Sequence, residues 1–214
     1  MSNNPYQAPR ATVDDQTPLP DNFIHGKLTW KKLNAAAWIA IFYLVFSIPL
    51  LGISYYAEIE QDKTLHTIEN IASLVSLALY IYLILIFRSF LETRFANVNF
   101  ATITYLSIAA TSITVLIPIL FTEPATDDVV QYLLYLVALL VPTGIVTLIY
   151  GIKLIRINHV YPYLKPLGWL NIITGVLMIT IILFLLVIPL GFASEILMIL
   201  IFFSASRELR SSTV

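Results

Sequence analysis

Thr143, Thr147 and Gly151 recur at four-residue spacing in a long apolar run that also holds Pro142 and Gly144. Asn171 lies in the next such run. A proline and a glycine inside "VPTGIV" would break a helix and turn backbone carbonyls toward a small solute. Threonine hydroxyls and an asparagine amide would then complete a polar path, so Pro142, Thr143, Gly144, Thr147 and Asn171 form the candidate solute path. The competing reading is packing. Small and hydroxylated residues at this spacing also let helix backbones approach, as do Gly168, Asn171 and Gly175, Ala36 with Ala40, and Ala72 with Ser76. One acid stands inside an apolar run, Glu195. It reads as an outer-interface carboxylate near a helix boundary, with a proton or cation path as the alternative.

The remaining reactive residue types make no constellation. His25, His66 and His159 are scattered near helix ends and form neither an H-E-x-x-H helix nor a metal cluster. No G-x-S-x-G turn surrounds a serine, and no glycine-rich phosphate loop is present. With no cysteine, thiolate catalysis, disulfides and thiolate metal sites are excluded. The expectation is therefore no catalytic residue, no cofactor and no metal.

The elements that must carry these residues are membrane helices. Hydrophobic residues make up 58% of the 214, and charged residues 12%, against about 45 to 50% and about 25% in soluble domains. A hydrocarbon core about 30 Å thick needs roughly 20 apolar residues. Six stretches approach that length, at 35–57, 68–88, 100–121, 129–152, 167–187 and 190–207. The last two are divided only by "IPLGFAS", where Pro189 and Gly191 favour a turn over one continuous helix. The fold class expected is an all-α polytopic bundle of six transmembrane helices.

Charge gives the orientation. Of the 12 basic residues, Lys63 alone falls among the opposite loops, which carry Glu58, Glu60, Asp62, Glu69, Glu123, Asp127 and Asp128. Basic residues mark cytoplasmic loops, so both termini are expected in the cytoplasm and the helices in three hairpins. Pro49, Pro118 and Pro189 would then stand near the outer end of each odd-numbered helix, as a hairpin used three times would place them. Trp30, Trp38, Tyr55, Tyr56, Tyr132, Tyr161, Tyr163 and Trp169 read as interfacial belts.

Before the first span come residues 1–22, rich in proline and expected to be a disordered cytoplasmic head. Its acids and prolines do not fit a signal peptide. Residues 23–34, "FIHGKLTWKKLN", read as a basic interfacial segment, 35–207 as the six-helix domain and 208–214 as a cytoplasmic tail. Pro5 and Pro9 hold "NPYQAP" near polyproline II, which makes Asn4, Pro5, Tyr6 and Pro9 a candidate partner-docking motif.

That hexapeptide resembles the N-P-Y-x-A-P heads of small, uncharacterised bacterial multi-pass inner-membrane proteins. The resemblance covers six residues and implies a bacterial inner membrane without implying an activity. The function expected is that of a non-enzymatic accessory or scaffold subunit. The alternative is a permease for a small neutral or lipophilic solute. Membrane lipids, a membrane-protein partner or a second copy are the expected associates; a net charge of −1 with no basic groove gives nucleic acid no purchase.

Overall fold

A computed structural model of the chain describes residues 20–24, 26–60, 63–95, 98–120, 129–157, 161–180 and 184–212. Among them the secondary structure is entirely helical: α1 (Asp21–Ile24), α2 (Trp30–Glu60), α3 (Lys63–Arg94), α4 (Ala101–Leu120), α5 (Val129–Ile155), α6 (Leu164–Thr180) and α7 (Val187–Ser212), with a 3-10 turn at Phe184–Leu186 before α7. Five of these, α2, α3, α4, α5 and α7, are long and apolar enough to cross a membrane. The sixth, α6, has 17 residues. At 1.5 Å per residue that is about 26 Å, slightly less than a hydrocarbon core.

Local sequence explains where the helices begin. The Thr29 hydroxyl accepts the backbone N–H of Lys32 at 3.3 Å, capping α2. At the start of α4, Asn99 Oδ1 accepts the Ala101 N–H at 3.0 Å and Glu92 of α3 accepts the Phe100 N–H at 3.1 Å. Hydroxyls inside the apolar helices return their protons to carbonyls four residues back, as in Ser47 to Tyr43, Ser107 to Ile103 and Thr114 to Ala110. Such bonds pair these three hydroxyl donors within their own helix, in a setting without water.

From α2 to α7 each helix packs against the next in sequence, and α2 packs against α7, so the six close into a ring. The most extensive contact, between α5 and α6, joins two of the expected hairpins and not the arms of one. Glycine makes it possible. A Cβ at Gly151 would come within 2.6 Å of the Gly168 carbonyl oxygen, and one at Gly175 within 2.6 Å of the Gly144 carbonyl oxygen. Gly144 and Gly151 thus oppose Gly175 and Gly168, two turns apart on each of two antiparallel backbones.

Among the described residues the ring gathers every basic residue but Lys63 at one end, beside the starts of α2, α4 and α6 and the ends of α3, α5 and α7. Aromatic side chains fill the ring there. Phe90 meets Phe23, Phe87, Phe95 and Tyr161 with centroids 5.4 to 6.2 Å apart, and Phe87 meets Phe202 at 5.9 Å. Arg94, only 3% exposed, pairs with Glu208 of α7 at 2.9 Å and lies over the rings of Phe23 and Phe95. The Tyr161 hydroxyl donates to the same carboxylate. Burial, reinforced by this acceptor, pushes the Tyr161 phenol above its ordinary pKa, so it remains the donor.

Several expectations change. The turn between the last two spans precedes "IPLGFAS": α6 ends at Thr180, and Pro189 sits in the first turn of α7. Proline is tolerated there because its missing N–H would have had no intrahelical partner. Pro189 therefore begins α7 and does not end α6, and the expected proline repeat loses its third member. Within 23–34 the three lysines, Lys27, Lys31 and Lys32, are exposed while apolar residues turn inward. Phe23 and Leu28 are buried in the core, and Trp30 onward is already α2. The last helix runs through Ser212 and takes in most of the expected tail. Trp38, Tyr55, Tyr56 and Trp169 are exposed as an interfacial belt requires, whereas Tyr161 is buried.

Candidate functional site

Above the aromatic layer the ring encloses a cavity of about 220 Å³. All six helices contribute to its wall: Tyr43 from α2; Tyr80, Leu83, Ile84 and Phe87 from α3; Ser107 from α4; Thr147 and Tyr150 from α5; Leu167 and Asn171 from α6; Gly191, Ser194, Glu195 and Met198 from α7. A more open cavity of about 240 Å³ lies among α2, α3 and α7 toward the start of α7, with Ser47, Leu50, Leu51, Ser76 and Phe192 in its wall. Tyr43, Gly191 and Glu195 border both spaces. The central cavity is therefore lined by Phe87 toward the basic end and adjoins a wider recess on the other side.

The polar groups in the wall are differently equipped. Ser107 donates its hydroxyl proton to the Ile103 carbonyl at 2.9 Å, and Thr147 donates to the Thr143 carbonyl at 2.8 Å. Each therefore presents only acceptor lone pairs to the cavity. Asn171 can donate and accept. Glu195 Oε2 is buried and has no hydrogen-bond partner among the described residues. No lysine, arginine or histidine lines either cavity, and the ion pairs found among the described residues do not include Glu195. The Tyr43 side chain is within electrostatic reach of this carboxylate.

The expected solute path divides. Thr147 and Asn171 do line the cavity. Thr143 instead faces α4, where its hydroxyl lies 3.0 Å from that of Thr114 and donates to its own helix at the Leu139 carbonyl. Gly144 is spent on the contact with α6, and Pro142 is exposed on the outside. Nor does the helix break at "VPTGIV": α5 continues from Val129 to Ile155 through Pro142. The proline costs one backbone hydrogen bond, and the helix is held on either side by its contacts with α4 and α6.

No family profile, curated protein or solved structure matches this chain. What the site can do must therefore be read from its own atoms. Among the described residues no group of three or more histidines and acids could hold a metal ion, and His66 is occupied with Glu69 at 3.4 Å. His25, His159 and the Asn4, Pro5, Tyr6 and Pro9 motif lie outside the described residues.

Sequence reasoning passed over Tyr43, Tyr80, Tyr150 and Ser107, and held the inward position of Glu195 only as the alternative. A signal existed for the tyrosines. Tyr43 and Tyr80 stand near the middle of helices of 31 and 32 residues, whereas tyrosines that serve as interface anchors stand near the ends. For Glu195 the signal was misplaced by the helix boundary. Counting from Val187 puts it eight residues into α7, about 12 Å along the axis.

Proposed function

We propose that this integral membrane protein binds a small neutral or lipophilic solute inside its helix ring and acts as a permease by facilitated diffusion. The observation that carries the reading is the cavity to which every helix of the ring contributes. A bundle that only packed would bring aliphatic side chains to that centre, and an enclosed space with a few converging polar groups is the usual form of a small-ligand site. The volume suits a compact solute, since an apolar cavity of about 150 Å³ already holds benzene. A solute would enter from the wider recess past Glu195. Movement of the Phe87 layer would complete passage.

This reading assigns the chain no catalytic step. It also places the protein in a bacterial inner membrane with the basic end toward the cytoplasm, on the support of the charge distribution and the "NPYQAP" resemblance. The accessory or scaffold role draws no comparable support, because the head that would dock a partner lies outside the described residues.

The test is flux into liposomes carrying the purified chain, using neutral aromatic and aliphatic alcohols as solutes. Uptake above that of empty liposomes, lowered severalfold by Asn171→Leu and by Thr147→Val in folded protein, is the expected result. Rates equal to empty liposomes, or rates indifferent to both substitutions, would remove the permease reading.

A further inference from the structure

We propose that the central cavity is a binding site for small protonated amines with an apolar substituent, and that Glu195 supplies the counter-charge. The inference rests on the cavity reading above and narrows its solute from the neutral or lipophilic class to a lipophilic organic cation.

The wall holds donors in Asn171, Ser194 and three tyrosines, but its one carboxylate, Glu195, points to a ligand that donates. With their protons committed to helix carbonyls, Ser107 and Thr147 can only accept. Glu195, ionised, can only accept as well, and one of its oxygens is buried without a partner. An ether in this space would leave that oxygen unserved and an alcohol would bring it a single neutral donor, whereas an ammonium group brings three donors and a positive charge. A buried carboxylate without a cation is costly, and the chain provides no lysine, arginine or histidine in either cavity to offset it. The same absence argues against an anionic ligand, which would meet Glu195 with no opposing charge.

The rest of the wall selects an organic cation over a metal ion. A hard divalent ion needs about six or more oxygens converging at short range. Here the oxygens are spread over six helices among Leu83, Ile84, Phe87, Leu167 and Met198. Those residues suit a hydrocarbon body, and the rings of Tyr43, Tyr80 and Tyr150 offer π-faces to a cation. The position of Glu195 fits the role too. It borders both the enclosed cavity and the wider recess, so it can meet the ammonium group at entry and hold it inside.

Benzylammonium and benzyl alcohol are matched probes, nearly equal in size and different in charge, with benzoate as the anionic counterpart. Binding to the purified full chain in detergent is measured by calorimetry for wild type and Glu195→Gln. The expected result is that wild type prefers benzylammonium to benzyl alcohol by about tenfold or more, the size of a charge-assisted hydrogen bond, and does not bind benzoate. In Glu195→Gln the preference should vanish, benzylammonium binding no more tightly than benzyl alcohol. Equal binding of the two probes by wild type, or a preference that survives Glu195→Gln, overturns the amine assignment and leaves the cavity reading standing. Binding of neither probe overturns both. Should Glu195→Gln fail to fold, the wild-type comparison of the three probes decides alone.

Discussion

Two carboxylates on α7 sit in opposite circumstances. Glu208, at the basic end, accepts from Arg94 at 2.9 Å and from the Tyr161 hydroxyl, and Arg94 is itself covered by two phenylalanine rings. Glu195, 13 residues earlier on the same helix, faces a cavity and leaves a buried oxygen without a partner. One end of the ring is filled and its carboxylate Glu208 is matched; the middle is hollow and Glu195 is not. The difference separates residues that hold the bundle together from residues available to a ligand. Functional sites commonly sacrifice stability in this way.

The sharpest way to test the contrast is one substitution made twice. Glu208→Ala leaves Arg94 buried with neither its ion pair nor its hydrogen bond, and removes the acceptor of Tyr161. The expected loss is about 3 kcal/mol, read as a fall in Tm for thermal unfolding in detergent. Glu195→Ala removes an unpaired acceptor and should leave stability unchanged or raise it by about 1 kcal/mol. If both variants lose stability equally, Glu195 has a structural partner and the division between the two regions fails.

Glycines allow a second comparison. Gly151→Ala would drive a Cβ to 2.6 Å from the Gly168 carbonyl oxygen, which is backbone and cannot swing aside. Separating α5 from α6 should cost about 1 to 3 kcal/mol. Gly191, on the cavity wall, has nothing within 4 Å of an added Cβ. Gly191→Ala should be neutral or stabilise by up to about 1 kcal/mol, the helix propensity difference. Equal Tm values for the two variants would mean that the α5–α6 contact is looser than its geometry implies.

These contrasts also show what the sequence could disclose. Helix number and the gathering of basic charge at one end follow from composition and spacing, because lipid demands long apolar helices and antiparallel neighbours bring alternate loops together. Gly151, Gly168 and Gly175 were recognisable as packing residues from their periodicity. What periodicity could not show is which neighbour each stripe meets. Residues four apart differ by about 40° around a helix of 3.6 residues per turn. That rotation is enough to aim Thr143 at Thr114 of α4 and Thr147 into the cavity. Glu195 was misread through Pro189, whose helix-breaking tendency suggested a turn although it stands where a helix tolerates proline. The Arg94–Glu208 pair joins residues 114 apart in sequence, and nothing local marks such a partnership.

The smallest effect belongs to those two threonines, and it divides stability from binding most finely. Thr143 exchanges a hydroxyl contact with Thr114 between two helices, so Thr143→Val should lose about 0.6 kcal/mol, the average worth of such bonds inside membrane bundles. A double-mutant cycle with Thr114→Val should return that value as coupling. Thr147 bonds within the described residues only to its own helix, at the Thr143 carbonyl, and turns its remaining lone pairs to the cavity. Thr147→Val keeps the shape and the helix, so its Tm should match wild type. Its effect should fall on ligands instead: benzylammonium weakened severalfold by Thr147→Val and unaffected by Thr143→Val. The reverse pattern would put Thr143 in the path and return the cavity to packing.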